Sequence, residues 1–184
     1  GISSIGDTTV VSNKWMLGTR NSFIIGLSAT FLATALGTVA ALGLSRPHMP
    51  FKPVLMAILI SPMIVPLIIT AAGMFFFYSK VGLTHTYLGL ILAHTALGTP
   101  FVVITVTATL TGFDTNLIRA SQSLGADTMK TFFKIIMPLI LPGVISGGLF
   151  AFITSFDEVV IVMFVGSVEQ ITIPKQMWAG LRQE

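Results

Sequence analysis

The chain has no cysteine and unusually little charge. Of its 184 residues, 9% are Asp, Glu, Lys or Arg and 53% are hydrophobic, whereas soluble domains carry about 25% charged residues. The lack of cysteine excludes disulfides, zinc–thiolate sites and thiol catalysis in this sequence. So few charges are also unable to cover the surface of a soluble fold of this size. Together with a mean hydropathy of +0.90, the composition indicates an integral membrane protein.

Motifs of several functional classes are absent as well. The ten Lys and Arg residues are scattered, so the net charge of +3 indicates charges beside membrane spans and no nucleic-acid partner. No Gly-x4-Gly-Lys-Ser/Thr motif occurs, so this chain is not expected to bind ATP itself. We identify no catalytic residues, no metal ligands and no signal peptide. Because the first residue is Gly1, we expect the sequence to be a fragment of a longer protein.

Four stretches are long and apolar enough to cross a bilayer as α-helices, which takes about 20 residues. They cover approximately residues 22–44, 54–78, 87–110 and 140–165. They do not alternate with period two, as the strands of a membrane barrel would. We therefore expect residues 1–184 to form a single all-α membrane domain. Four prolines inside the spans predict kinks and not breaks, because membrane helices tolerate proline: Pro62, Pro66, Pro100 and Pro142.

A polar loop at 111–139 separates the third span from the fourth, and its pattern predicts two short helices joined by a turn. Asp114 is a favourable N-cap for a first helix over about Thr115–Leu124. Gly125 stands where a residue in the left-handed conformation would end that helix. Asp127 is a favourable N-cap for a second helix that runs towards the fourth span.

The first short helix also carries a candidate contact face. Leu117, Ser121 and Leu124 recur at helical spacing and predict a small, partly apolar face that suits a groove on another protein. These helix signals fit an amphipathic helix on the membrane surface equally well. The spacing of the whole loop decides between the two interpretations.

That spacing resembles the EAA motif of ABC importer permeases, in which Glu-Ala-Ala is followed after three residues by Gly and after nine more by Ile-x-Leu-Pro. Four positions match: Ala120, Gly125, Ile135 and Pro138. Arg119, Ser121 and Met137 depart from it, and the contacts of the motif's glutamate are not carried over to Arg119. The resemblance implies a coupling loop that docks on a separate ATPase. Its candidate residues are Arg119, Ala120, Ser121, Leu124, Gly125, Ala126, Ile135 and Pro138.

Other segments resemble spermidine/putrescine-type permeases of the same family. They are Asn21-Ser22, 41–46, 61–66, 93–95, 100–105 and 155–160. The resemblance implies a multi-pass subunit of the bacterial inner membrane with the type I importer fold, in which the four spans are the second to fifth of six. Five basic residues lie on each side of the spans, so charge does not orient the chain. The resemblance does: it places the loop 111–139 in the cytoplasm and both ends outside.

The same resemblance implies the partners. The permease would pair with a second permease subunit and with an ATPase dimer that carries the ATP, while a solute-binding protein would bind from outside. No cofactor is expected on this chain. The implied function is uptake of a small solute, a polyamine or a related cation.

The fourth span contains Asp157 and Glu158, although a carboxylate at the bilayer centre costs about 2.5–3.5 kcal/mol. Small residues recur every four positions along this span: Gly143, Gly147, Ala151 and Ser155. On a helical wheel both acids and Thr154 fall on or beside this stripe. We therefore expect the stripe to pack on helices or line a cavity, while the bulky opposite face meets lipid.

Two interpretations of the acidic pair remain open. In the first, the substrate pathway is lined by Thr154, Ser155, Asp157 and Glu158, and the acids attract a cation. In the second, the acids only hydrogen-bond to neighbouring helices or to a partner subunit. An ion-coupled secondary transporter that uses the pair as its ion site is the alternative function. His94, alone on an apolar helix, is expected to be a packed and hydrogen-bonded side chain.

Overall fold

The computed structural model describes residues 3–46, 48–114 and 116–181, with side chains from residue 13 onwards. The described residues form nine α-helices: α1 (Ser3–Leu44), α2 (Lys52–Ile64), α3 (Leu67–Val81), α4 (Tyr87–Thr111), α5 (Asn116–Ser123), α6 (Thr128–Thr131), α7 (Met137–Asp157), α8 (Val160–Val165) and α9 (Ile173–Leu181). A π-helical turn, Phe132–Ile136, joins α6 to α7. All regular structure in these ranges is helical, which confirms the predicted all-α class.

Within the part of the chain that the structure describes, three helices are long and apolar enough to cross a membrane: Asn13–Leu44, Tyr87–Thr111 and Thr128–Asp157. A fourth crossing is possible if α2 and α3 count as one bent span. The third predicted span agrees with α4 to within one residue. Helix α1 extends beyond the first predicted span, since it starts at Ser3 and continues through polar residues before residue 22.

The second predicted span is not continuous, so the expectation of a simple kink at Pro66 was wrong. Helices α2 and α3 meet at 104°, and both Val65 and Pro66 have extended backbones. The residue before a proline avoids the helical conformation, and proline has no N–H to continue the helical hydrogen bonding. Pro62, Pro100 and Pro142 do lie inside helices, as predicted.

The fourth predicted span is broken too, and it breaks at the acidic pair. Helix α7 ends at Asp157, Glu158 has an extended backbone, and α8 begins only at Val160. We call Asp157–Val159 the acidic break. The helical wheel that placed both acids on one stripe assumed a continuous helix, so it does not describe Glu158. At its other end, this helix is continuous with the second loop helix, so that the rod starts at Thr128, directly after the predicted N-cap Asp127.

The inner half of the bundle consists of α1, α4 and α7, packed through small residues. A Cβ added at Gly98 of α4 would lie 2.9 Å from the Ala151 Cβ of α7. One added at Gly147 of α7 would lie 2.7 Å from the Val102 Cα of α4. Such close approach lets two helix backbones touch in a lipid environment, where packing replaces the hydrophobic effect. The predicted small stripe on α7 is therefore a packing face, and its residues are buried: Gly143, Gly147, Ala151 and Ser155.

The outer half of the bundle is built from the two half-helices that follow the breaks. Helices α3 and α8 pack on each other, and α8 also packs on α4. Their buried residues form one apolar cluster that includes Ala71, Leu90, Ile161, Val162 and Val165. Each broken span thus joins the inner bundle on one side of its break and the outer cluster on the other.

Different segments of the chain lie at the two ends of the bundle. At one end, residues 166–173, which we call the outer segment, bond to Asn21 and Ser22 of α1 and to His85. At the other end, the C-terminal ends of α1 and α4 and the loop 111–139 surround a cavity of about 420 Å³. The start of α1 and helix α9 therefore lie at the same end, as the expected orientation requires.

Candidate functional site

The first helix of the polar loop 111–139 ends as its sequence predicts. Gly125 has φ +81°, the left-handed conformation that ends a helix at low cost only when the residue is glycine. The N–H of Ala126 donates to the Ser121 carbonyl at 3.0 Å, and that of Gly125 to the Gln122 carbonyl at 2.9 Å. At the start of α5, Asp114 Oδ1 accepts the N–H of Asn116 at 2.9 Å.

The second helix of the loop is continuous with the membrane span behind it. Asp127 caps it as predicted, since its Oδ1 accepts the N–H of Lys130 at 2.7 Å. The chain then passes through the π-helical turn, where the N–H of Met137 donates to the Phe132 carbonyl, and directly into α7. Pro138 stands at the start of α7 and is exposed. A wide π turn before a proline relieves the clash that a proline ring makes with the carbonyl four residues earlier.

Ser121, one of the motif positions, has a different role from the predicted one. Ser121 is only 7% exposed, and its hydroxyl lies 2.8 Å from that of Thr131 on α6. Leu117 and Leu124 are exposed, Leu124 to 89%. The three residues therefore do not form one contact face, because Ser121 points inward and ties α5 to α6. Thr131 was not predicted as part of the site. In the sequence, only its spacing of ten residues from Ser121 relates it to the motif.

Most residues of the motif nevertheless lie on the surface of the loop 111–139. Arg119, Ala120, Leu124 and Gly125 are exposed, and Ala126 and Ile135 are partly so. A shallow groove of about 300 Å³ runs between α5 and the second helix, with Leu124, Lys130 and Lys134 among its lining residues. A short, rigid helix with an exposed leucine at its end is the shape that inserts into a groove on another protein.

The acidic break lies far from this loop along the same helical rod. Asp157 is the last residue of α7 and is exposed. Glu158 is only 7% exposed, and its Oε1 accepts the N–H of Ile161 at 2.9 Å. The structure therefore places the two neighbouring acids in different surroundings.

The polar residues just before the break are also divided. Ser155 is buried, and its hydroxyl lies 2.7 Å from Nδ1 of His94 on α4. Its partner His94 is fully enclosed, which confirms the predicted packed and hydrogen-bonded histidine. Thr154 is partly exposed. Of the four residues predicted to line a pathway, Asp157 and Thr154 are accessible, whereas Ser155 and Glu158 are engaged within the chain.

The end of α7 combines two sources of negative charge. The last carbonyl groups of a helix have no helical partners, and its C-terminal end carries partial negative charge. Asp157 adds a full carboxylate at that same end. A carboxylate at a helix C-terminus is unfavourable alone and becomes favourable once a cation lies beside it. Broken helices with such ends coordinate cations in other transporters.

Polar residues at the outer end were not predicted as a site and form a dense network. Asn21 Nδ2 donates to the carbonyls of Glu169 and Ile171, both at 3.0 Å, and its Oδ1 accepts from the Tyr87 hydroxyl at 2.9 Å. Lys175 Nζ donates to the Ser167 carbonyl at 3.1 Å, and burial lowers the pKa of its ammonium group. In the sequence, the one sign of this network is Asn21, an asparagine on an apolar helix face.

The comparisons with known proteins agree with this architecture. Residues 33–180 match the family described as binding-protein-dependent transport system inner membrane component. The spermidine/putrescine transport system permease protein PotC of Haemophilus influenzae is 33% identical over 86% of this chain, and its counterpart in Escherichia coli K12 is 33% identical over 84%. The putrescine transport system permease protein PotI of E. coli K12 is 31% identical over 86%.

The matched region is a part of each relative. The chain spans 62%, 58% and 61% of the lengths of these three proteins, respectively. The family match covers most of the chain, from the last third of α1 into α9, and so includes the loop 111–139 and the acidic break. The chain therefore belongs to the family of inner membrane components of binding-protein-dependent transport systems.

Proposed function

We propose that this chain is one permease subunit of an ATP-driven importer that moves a small organic cation of the polyamine class into the cell. Family membership supports the role of permease, and the names of the relatives support the substrate class. The observation that carries the proposal is the acidic break, where Asp157 stands exposed at the negative end of α7.

The accessible surface of Asp157 argues against a role confined to hydrogen bonds within this chain. A carboxylate that faced lipid would cost about 2.5–3.5 kcal/mol at the centre of the bilayer. We therefore expect protein or water to cover it in the assembled transporter, as a cation pathway between two permease subunits would. Thr154, one turn earlier, adds a hydroxyl to the same region. Ser155 and Glu158, which are buried next to Asp157, would lie behind the proposed pathway and support it without lining it.

Coupling to ATP is assigned to the loop 111–139. Its exposed residues Arg119, Ala120, Leu124 and Gly125 would dock in a groove of an ATPase dimer, which binds the ATP. Ala126, Ile135 and Pro138 would shape the turn and the connection to α7. Because α6, the π-helical turn and α7 form one rod, a movement of the docked loop would reach the acidic break through a continuous helix.

The remaining partners follow from the same proposal. A second permease subunit would cover the exposed side of Asp157, and a solute-binding protein would deliver the cation to the outer end, where the outer segment and α9 lie. Alternating access would then open the acidic break first to the outside and next to the cytoplasm.

The proposed pathway is tested by removing its charge. In the complete transporter, the double variant Asp157→Asn/Glu158→Gln should lose uptake of labelled spermidine by at least about tenfold, because a desolvated cation loses its counter-charge. Variant and parent should be compared at equal amounts in the membrane. Normal uptake by the double variant would contradict the pathway, while leaving family membership untouched.

A further inference from the structure

The two acids of the break share a chemistry and differ in every contact. Asp157 is exposed and ends α7. Glu158 is turned inward by its extended backbone, with φ −73° and ψ 123°, and its carboxylate accepts the N–H of Ile161. A side chain three residues before an N–H that it accepts is the arrangement of a helix cap. The Glu158 carboxylate therefore already has a partner within the chain.

The bond to Ile161 fixes the far side of the break. Ile161, Val162 and Val165 of α8 are fully buried in the outer apolar cluster, next to Leu90 and Ala71. An α8 held in this way cannot turn without disrupting the cluster. Glu158 consequently ties the extended backbone to an element whose position is set by packing.

The near side of the break is fixed by a second buried bond. Ser155, one turn before Glu158, lies 2.7 Å from His94 of α4 through its hydroxyl. The last turn of α7 is thus attached to α4, and the first turn of α8 is attached to Glu158. Asp157 stands between these two attachments, and its direction depends on both.

We propose that Glu158 is a positioning residue: its carboxylate holds the break between α7 and α8 and thereby presents Asp157, the only one of the two acids that meets the substrate. This inference rests on the proposed function and divides its acidic pair into two roles. The role of Glu158 needs an oxygen acceptor at the end of the side chain. The role of Asp157 needs a negative charge.

That difference makes the two roles separable by substitution. Glutamine retains the Oε1 acceptor of Glu158 and removes the charge, whereas alanine removes both. Glu158→Gln should therefore keep uptake of labelled spermidine within about threefold of the parent, and Glu158→Ala should lower it by at least about tenfold, the effect of losing a bond to a charged group. Asp157→Asn should also lose at least about tenfold.

Thiol labelling, which does not depend on transport, tests whether Glu158 controls the accessibility of position 157. The chain has no cysteine, so Asp157→Cys introduces its only thiol. A cationic methanethiosulfonate reagent should modify this thiol at the same rate, within about threefold, with and without Glu158→Gln. The rate should change by at least about fivefold when Glu158→Ala is added, because the bond that fixes the break is lost.

The outcomes distinguish this inference from the function on which it rests. A loss above threefold in Glu158→Gln, equal to that of Asp157→Asn, would overturn the inference and leave the acidic pathway standing. Normal uptake and an unchanged labelling rate in Glu158→Ala would overturn it as well. If Glu158→Ala does not reach the membrane, Glu158→Gln decides alone. Normal uptake in Asp157→Asn would instead refute the proposed pathway, and the labelling rates would still report on the positioning role.

Discussion

Asn21 is a fully buried amide on α1 that reaches α4 and the outer segment through three hydrogen bonds. Two of its partners are carbonyls of residues 169 and 171, which have no regular structure to satisfy them. An amide is suited to this place because it donates twice and accepts at the same time. One side chain thus fixes the path of the chain after α8.

Removing this amide should destabilise the protein. Asn21→Ala leaves two carbonyls and the Tyr87 hydroxyl without their partner, and we expect the free energy of unfolding to fall by about 2–4 kcal/mol. Asn13→Ala, an exposed asparagine on the same helix, should change it by less than about 0.5 kcal/mol. Reversible unfolding of the purified protein in detergent measures both. Equal stability of the two variants would show that the network at Asn21 contributes little.

At the scale of single residues, local chemistry was predictable and tertiary contacts were not. The positive φ of Gly125 and the cap at Asp127 follow from backbone sterics and short-range hydrogen bonds, which the sequence encodes within a few positions. The inward turn of Ser121 depends on Thr131, ten residues away on another helix. The burial of Glu158 depends on the break after Asp157. A helical wheel does not show this break, because it treats the span as one continuous helix.

At the scale of elements, the helices were predictable from their length and hydropathy, and their interruptions were not. A window of apolar residues reports whether a segment is able to cross a membrane, and it gives the same signal for α2 and α3 as for one straight span. The extended backbone at Val65 and Pro66 needs a second condition, namely an outer cluster that packs α3 at 104° to α2. That condition is tertiary.

The turn between α5 and α6 provides the prediction at this scale. Gly125→Leu forces a branched side chain into a backbone with φ +81°, at a cost of about 1–3 kcal/mol, and should shift α5 relative to the rod behind it. We expect uptake to fall by at least about tenfold while the ATPase subunits still hydrolyse ATP, because the loop transmits movement and does no chemistry. Uptake and ATP hydrolysis should be measured on the same reconstituted samples.

Gly112 provides the matched control for this substitution. It lies at the start of the same loop with φ −86°, and the nearest atom to an added Cβ is 4.0 Å away. Gly112→Leu should therefore retain both uptake and ATP hydrolysis. If Gly125→Leu behaves like Gly112→Leu, the turn is not part of the coupling.

At the scale of the whole molecule, the family and the membrane class were predictable because they depend on composition and on a motif with fixed spacing. The relative placement of the two ends also agrees with the orientation expected from that family. The division into an inner bundle and an outer cluster was not predictable, since it arises from how α3 and α8 pack after their breaks. This division gives the acidic break its place, at the boundary between the two halves.

The central claim is that this chain carries a cation inward with energy from a partner ATPase. It is tested most directly by reconstituting the complete transporter in vesicles, with the solute-binding protein and labelled spermidine on one side and ATP on the other. The account predicts that accumulation requires both ATP and the binding protein and is unaffected when proton and sodium gradients are abolished. Accumulation that follows an ion gradient and proceeds without ATP would contradict it and would support an ion-coupled transporter instead.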